Sequence, residues 1–244
     1  MIRARKKNTN EYRAIKLISK DDNFSIEIIQ NEVNLMKKLE NNNSIKIFEQ
    51  YNSNEDFAIV MELCDCNLAK RLSETSNGCE VDEIKMILTQ LNNTFKIMVD
   101  NKIIHRDIKL ENILVKYVNG QRKKYTVKLS DYGISKQLGT LSRKNRTNIG
   151  TTKTMAPEIM KEEPYDNKCD LWSIGVIIYQ LCFKQFPYTA ETTYSLINQI
   201  NNLKQKHFKK KNNQHLDDLI SKLLNPNPKE RLTWAQYFNH PFFK

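Results

Sequence analysis

Apolar residues at Ile84, Ile87, Leu88, Leu91, Phe95 and Met98 form a stripe at helical spacing, which predicts a helix from Val81 to Asp100. Ile29, Val33 and Met36 predict a second helix within Phe24 to Leu39, and Leu216, Leu219, Ile220, Leu223 and Leu224 a third. The stretch from Tyr165 to Lys184 is apolar nearly all round and reads as a buried central helix. Strand patterns fall elsewhere. Met1 to Arg5 and Tyr12 to Ile18 flank a polar turn holding Asn8-Thr9-Asn10. After the break Asn41-Asn42-Asn43, Ile45 to Tyr51 and Phe57 to Leu63 flank the polar turn Asn52 to Asp56. Asn119-Gly120 between Ile113–Val118 and Tyr125–Ser130 signals a hairpin, with Gln121 to Lys124 expected to lengthen its turn.

At 244 residues the chain is long enough to bury a substantial core, as one large domain or a two-lobed unit. Its net charge of +11 reads as a basic solvated surface, because the cations are dispersed and not interleaved with exposed aromatics. The five cysteines, at 64, 66, 79, 169 and 182, form neither a CxxC pair nor a zinc ligand set and read as reduced thiols. The N-terminus lacks the apolar core of a signal peptide, and no apolar run approaches membrane-spanning length. These features point to a soluble protein of a reducing intracellular compartment, in the cytoplasm. The run Lys209-Lys210-Lys211 reads as a solvated loop and leaves nuclear import open.

The strongest chemical signal is His105-Arg106-Asp107-Ile108-Lys109-Leu110-Glu111-Asn112, followed by the apolar Ile113-Leu114-Val115. Asp107 can accept a hydroxyl proton, Lys109 can hold a phosphate oxygen, and Asn112 can ligate Mg²⁺, a set suited to phosphoryl transfer. The octet resembles the catalytic loop of eukaryotic protein kinases at every defining position. Other motifs resemble that family in the expected order. Lys16 in Ala14-Ile15-Lys16-Leu17-Ile18 resembles the strand lysine that pairs with nucleotide phosphates, and Glu32 the helix glutamate that holds it, with Glu27 and Glu40 as alternatives. Phe57 to Cys64 resembles the strand entering the interlobe hinge. The resemblance then puts Met61 at the back of the adenine pocket, backbone groups around Glu62 and Cys64 on the adenine edge, and Ala14 and Leu114 in the cofactor site. Asp131-Tyr132-Gly133 resembles the metal-binding Asp-Phe-Gly, with Asp131 the main Mg²⁺ ligand opposite Asn112.

Residues 134–155 resemble an activation segment, closed by Ala156-Pro157-Glu158. Arg106 and Lys136 are implied to clamp an activating phosphate, on Thr147 first and Ser142 second. Thr151 is implied to bond near Asp107 and Lys109. Asp170 is implied to anchor the catalytic loop, and Arg231 to pair with Glu158.

The resemblance implies an α+β, two-lobed fold. Residues 1–63 would form a small lobe of antiparallel sheet plus one helix, and 64–244 a larger, mainly helical lobe. It implies a Ser/Thr protein kinase using ATP and Mg²⁺, acting on a protein hydroxyl, with Glu111 favouring a basic residue before the acceptor. An upstream activating kinase is implied, no specific nucleic-acid partner is expected, and no membrane span. None of the six glycines lies before Gly78, so the family's first strand and Gly-rich phosphate loop have no counterpart ahead of Lys16. Two readings follow from that: the sequence given starts late, or the chain is a kinase-like binding module of reduced activity.

Overall fold

A computed structural model describes residues 1–19, 26–132, 136–137, 153–202 and 208–244, without the side chains of 26–28 and 136–137. Four strands, β1 (Ile2–Arg5), β2 (Tyr12–Ser19), β3 (Ile47–Asn52) and β4 (Asp56–Glu62), pair antiparallel in the order β1-β2-β4-β3. Alternation sets their faces: Phe57, Ile59 and Met61 of β4 are buried while the residues between them are half-buried. Against that face packs α1 (Ile26–Lys38), which turns Ile29, Val33 and Met36 into the same core. Small sheet and helical part together make the expected α+β arrangement.

The connection from α1 to β3 is more than the polar break expected of Asn41-Asn42-Asn43. Asn43 is buried and donates from Nδ2 to Val127 O (2.9 Å), while its Oδ1 accepts from Asn93 (2.9 Å). Its carbonyl accepts the Leu129 N–H, and the Ile45 N–H is given to Leu129 O. With Ile45 engaged there, β3 begins at Ile47, two residues later than the pattern suggests. These asparagines fasten the sheet to the helical part, satisfying buried backbone groups that would otherwise cost about 1–3 kcal/mol each.

Beyond β4 come β5 (Cys66–Asn67), α2 (Leu68–Ser73) and α3 (Val81–Asp100), the last with the bounds its apolar stripe predicts. The strand β6 (Ile103–Ile104) leads into the octet, whose end is a 3₁₀ turn, Leu110–Asn112. β7 (Ile113–Val118) and β8 (Gln121–Leu129) form the hairpin, and β9 (Lys136–Gln137) pairs with β6. Here the expected longer turn is corrected. Asn119 and Gly120 both take positive φ (51° and 71°), the signature of a two-residue turn, so Gln121 to Lys124 belong to β8.

The helical part is completed by α4 (Pro157–Met160), α5 (Lys168–Phe183), α6 (Thr193–Asn202), α7 (Gln214–Leu223) and α8 (Trp234–Phe238). α5 is buried on nearly every side, as its composition requires. It packs on α7 where Gly175 leaves room: a Cβ there would stand 2.9 Å from Leu223 Cβ. All five cysteines are free thiols. Among the described residues no helix is long and apolar enough to cross a membrane. The dispersal expected of the cations fails on the sheet, where the Arg3 and Arg13 guanidinium carbons lie 4.0 and 3.9 Å from the ring centroids of exposed Tyr12 and Phe48.

Candidate active site

The octet leaves β6 as a loop nailed to α5. The Asp170 carboxylate, fully buried near the start of α5, accepts the backbone N–H groups of His105 and Arg106, each at 2.8 Å. Burial raises the Asp170 pKa above the ordinary carboxylate value; His105, the two amide donors and Arg106 pull it back without cancelling that rise. Those bonds hold Arg106 at φ 67°, a left-handed conformation that a non-glycine residue adopts only when its surroundings impose it. The same turn aims Asp107 inward.

His105 fixes the loop from the other side. Its Nδ1 accepts the Asp107 N–H (3.3 Å), which puts the ring proton on Nε2, where it is donated to Ser130 O (3.2 Å). The ring lies 4.9 Å from that of Tyr132. The Tyr132 hydroxyl, which burial makes harder to ionise, finds Leu129 O at 3.5 Å, so the tyrosine in place of phenylalanine is accommodated at long range.

Asp107 sits at 5% exposure. Its Oδ2 accepts from Lys109 Nζ (2.7 Å) and Asn112 Nδ2 (2.9 Å), and Asn112 Nδ2 also donates to the Asp107 carbonyl (2.9 Å). The other oxygen, Oδ1, is buried and has no hydrogen-bond partner among the described residues. A carboxylate oxygen left without a donor is costly unless one arrives, and an incoming hydroxyl supplies it. Because both Asn112 donors point at Asp107, the Asn112 Oδ1 is the group left to take a cation. Ser130 then ties the end of β8 to this loop, giving both its N–H and its Oγ–H to Asn112 O at 2.9 Å.

One residue on, Asp131 takes φ 64° and turns its half-exposed carboxylate toward the sheet. There Lys16, on the same face of β2 as Ala14, bonds Glu32 of α1 at 2.8 Å and Asp131 at 3.4 Å. Burial works against the ammonium, but Glu32 and Asp131 outweigh it and hold its pKa above the ordinary lysine value. Of the three glutamates weighed for Lys16, Glu32 makes the bond; Glu40 pairs with Lys46 instead, and the Glu27 side chain lies outside the described residues.

The remaining residues fall around this centre. Ala14 and Met61 are cross-strand neighbours in β2 and β4, and both are buried. The Glu62 N–H is already given to Lys46 O (2.8 Å) and its carboxylate accepts from Lys128 (3.1 Å), so what Glu62 can offer a base edge is its carbonyl. Cys64 follows in the linker to β5, and Leu114 lies in β7 opposite Asn67. Glu158 and Arg231 are fully buried and paired through two parallel bonds of 2.7 and 2.9 Å. Arg106 donates to the Tyr165 hydroxyl at 3.2 Å. Gly133, Ser142, Thr147 and Thr151 lie outside the described residues, as does the side chain of Lys136.

Reading by motif missed Ser130, Tyr165 and the asparagine bracket. None carries a local signal, since each acts through a partner 18 or more residues away. Among the described residues no three His, Cys, Asp or Glu side chains are placed to hold a metal by themselves. Asp131 and Asn112 each keep an oxygen of the kind Mg²⁺ takes.

The family model described as protein kinase domain matches residues 1–243. The chain is 32% identical to the serine/threonine-protein kinase TIO of Arabidopsis thaliana over 99% of its own length and 18% of that protein's. It is 34% identical to a probable myosin light chain kinase of Dictyostelium discoideum, over 97% of this chain and 61% of the relative. With the serine/threonine-protein kinase Nek5 of Homo sapiens it shares 33% identity over 89% of this chain and 30% of the relative. The chain thus spans between 18% and 61% of the length of these curated relatives. Matched over residues 1–243 by that domain, the chain belongs to the protein kinase family, and the relatives it is similar to include serine/threonine-protein kinases.

Proposed function

We propose that this chain transfers the γ-phosphoryl group of ATP to serine or threonine hydroxyls of a protein substrate. The observation that carries the reading is the meeting of Lys16, Glu32 and Asp131, from three separate parts of the sequence, together with a buried Asp107 oxygen that has no donor among the described residues. ATP with Mg²⁺ would supply the phosphoryl donor and neutralise its developing charge. Asp107 Oδ1 accepts and orients the acceptor hydroxyl, and takes its proton. Lys109, anchored on Asp107, sits where it can hold a phosphate oxygen beside that hydroxyl. Lys16, kept charged by Glu32, fixes the phosphate tail, and Asp131 and Asn112 present oxygens to Mg²⁺. Residues 1–63 carry the lysine and its glutamate, and 64–244 carry the acid, the metal ligands and the substrate side.

Activation by phosphorylation of Thr147, clamped by Arg106 and Lys136, is part of the proposal. It is supported by Arg106 Nε, which is buried and has no hydrogen-bond partner among the described residues. The reading is tested by incubating the chain with Mg²⁺-ATP and a mixed peptide library and scoring peptide mass gains. Phosphorylated Ser/Thr peptides with wild type, and none with Asp107→Asn, are expected. Unmodified peptides both with this chain and with one extended at its N-terminus would refute transfer and favour the binding-module reading.

A further inference from the structure

A cavity of about 760 Å³ opens behind the linker from β4 to β5, and none of the candidate catalytic side chains lines it. Its walls carry Arg13, Lys46, Lys116 and Lys128 against Glu40 and Glu62, and with Arg13 itself paired to Glu11 (2.7 Å) a surplus of one positive charge remains in a concave space. Lys46 and Lys116 are held in place but not saturated. Each ammonium has three donors, of which Lys46 commits one to Glu40 (3.3 Å) and Lys116 one to the Leu63 carbonyl (2.5 Å). Lys128 is spent on Asn42 O (2.8 Å), Glu62 (3.1 Å) and Ser44 O (3.5 Å) and contributes its charge alone. Convergent, partly desolvated point-charge donors around a void suit a compact tetrahedral dianion better than a planar carboxylate.

We propose that this cavity binds a phosphomonoester dianion, free or on a peptide side chain, and that its occupancy is felt at the nucleotide edge. The link is one peptide plane. Leu63 C=O faces Lys116 on the cavity side, and in a planar trans peptide the N–H of the next residue points the opposite way. Lys116 therefore sets the direction of the Cys64 N–H, the group assigned to the adenine edge under the kinase reading, on which this second step rests. A phosphate that draws Lys116 off Leu63 frees that plane and weakens nucleotide binding, and by reciprocity nucleotide weakens phosphate binding.

The site is tested by isothermal titration of inorganic phosphate into the full chain carrying Lys16→Met, which removes the lysine that would hold phosphate in the nucleotide cleft. One saturable site is expected, weakened roughly tenfold or more by adding Lys46→Ala or Lys116→Ala, the loss of one charge-assisted bond. Lys46 is half-exposed, so its removal leaves the fold intact. No saturable binding, or binding that both substitutions leave unchanged, would overturn the site and indicate diffuse attraction to the basic surface. A phosphoserine peptide and its unmodified counterpart, titrated in parallel, distinguish the sources. Tighter binding of the phosphopeptide than of phosphate assigns the site to a peptide, and equal binding assigns it to the free anion. For the link, a fluorescent ATP analogue is titrated into wild type with and without saturating phosphate. A severalfold loss of analogue affinity that disappears in Lys116→Ala is expected, and an unchanged affinity overturns the link alone. A chain that binds no analogue at all refutes the kinase reading, while the phosphate isotherm still decides the site.

Discussion

Replacing Arg231 by methionine would keep most of its volume and leave the Glu158 carboxylate buried without a counter-ion. The guanidinium does more than meet Glu158 at 2.7 and 2.9 Å: it also donates to Lys168 O (2.9 Å) and Asn225 O (3.1 Å), and its carbon lies 5.2 Å from the Trp172 ring centroid. Both ionised side chains are almost fully withdrawn from water, at 0% and 2% exposure. Breaking a buried pair from one side costs about 3–5 kcal/mol, because the remaining charge has lost its compensation. That is a large part of the ~5–15 kcal/mol that holds a typical native domain together. At ~2–4 °C per kcal/mol for a chain of this size, Tm should fall by roughly 6–20 °C. Urea denaturation gives the free energy directly, provided the slope with denaturant is unchanged. Glu158→Leu with Arg231→Met should lose less than the two single losses combined, by about 1–3 kcal/mol, because the double change buries no lone charge. A single loss under ~1 kcal/mol, or losses additive within ~0.5 kcal/mol, would refute the claim that this pair fastens α4 to the core.

Other outcomes follow from the same geometry. Asp107→Asn should cut kcat by roughly 10²–10⁴ while leaving ATP-analogue affinity within a few-fold, measured by steady-state kinetics and fluorescence titration; equal losses in both would place Asp107 in binding instead. Because Lys16 has its pKa raised in the fold, its pairing is complete below the ordinary lysine pKa and is lost as pH climbs through the raised value. The Tm gap between wild type and Lys16→Met should then stay level from about pH 6 to 9 and close above ~10.5, and a gap closing already near neutrality would contradict it. Gly78→Ala should cost at least about 1–3 kcal/mol in urea, since Gly78 has φ 81° and an added Cβ would lie 2.5 Å from the Cys182 carbonyl oxygen. Burial pushes the Cys64 thiol up to about 12. At pH 8 its alkylation by iodoacetamide should run roughly 10³-fold slower than that of a free cysteine, as peptide mapping would show; a rate within tenfold would refute the shift.

What the sequence made legible was chemistry carried by short spacings and burial carried by period. The stripe from Ile84 to Met98 gives α3 its bounds because one face of that helix is buried along its whole length. The spacing of Asp107, Lys109 and Asn112 gives the loop because Lys109 and Asn112, which both act within 3 Å of Asp107, are also close to it in sequence. Asn119-Gly120 announced a hairpin but not its tight form, since Gln121 already pairs with Val118 and the three polar residues after it run as a bulge within β8. Less visible were structures whose stability is non-local. The short helix α4 is held by Arg231, 73 residues from Glu158, and no periodicity in four residues can announce it. Asn43 looked like punctuation because its three partners lie on α3 and β8. Glu32 was legible ahead of Glu40 because it adjoins the inward stripe of Ile29, Val33 and Met36, and it is the residue that bonds Lys16.

The span of these contacts also orders the birth of the site. Lys16 meets Asp131 across 115 positions, and Arg231 reaches back across 73 to Glu158. Contacts of such sequence separation must close long loops before they repay the entropy, so they form late. During vectorial synthesis every catalytic candidate, from Lys16 to Asp131, has left the ribosome about a hundred residues before Arg231 does. The groups of the reacting centre are therefore all synthesised before the anchor Asp170 and well before Arg231, so the loop that carries Asp107 gains its support, and Glu158 its partner, only as those later residues emerge.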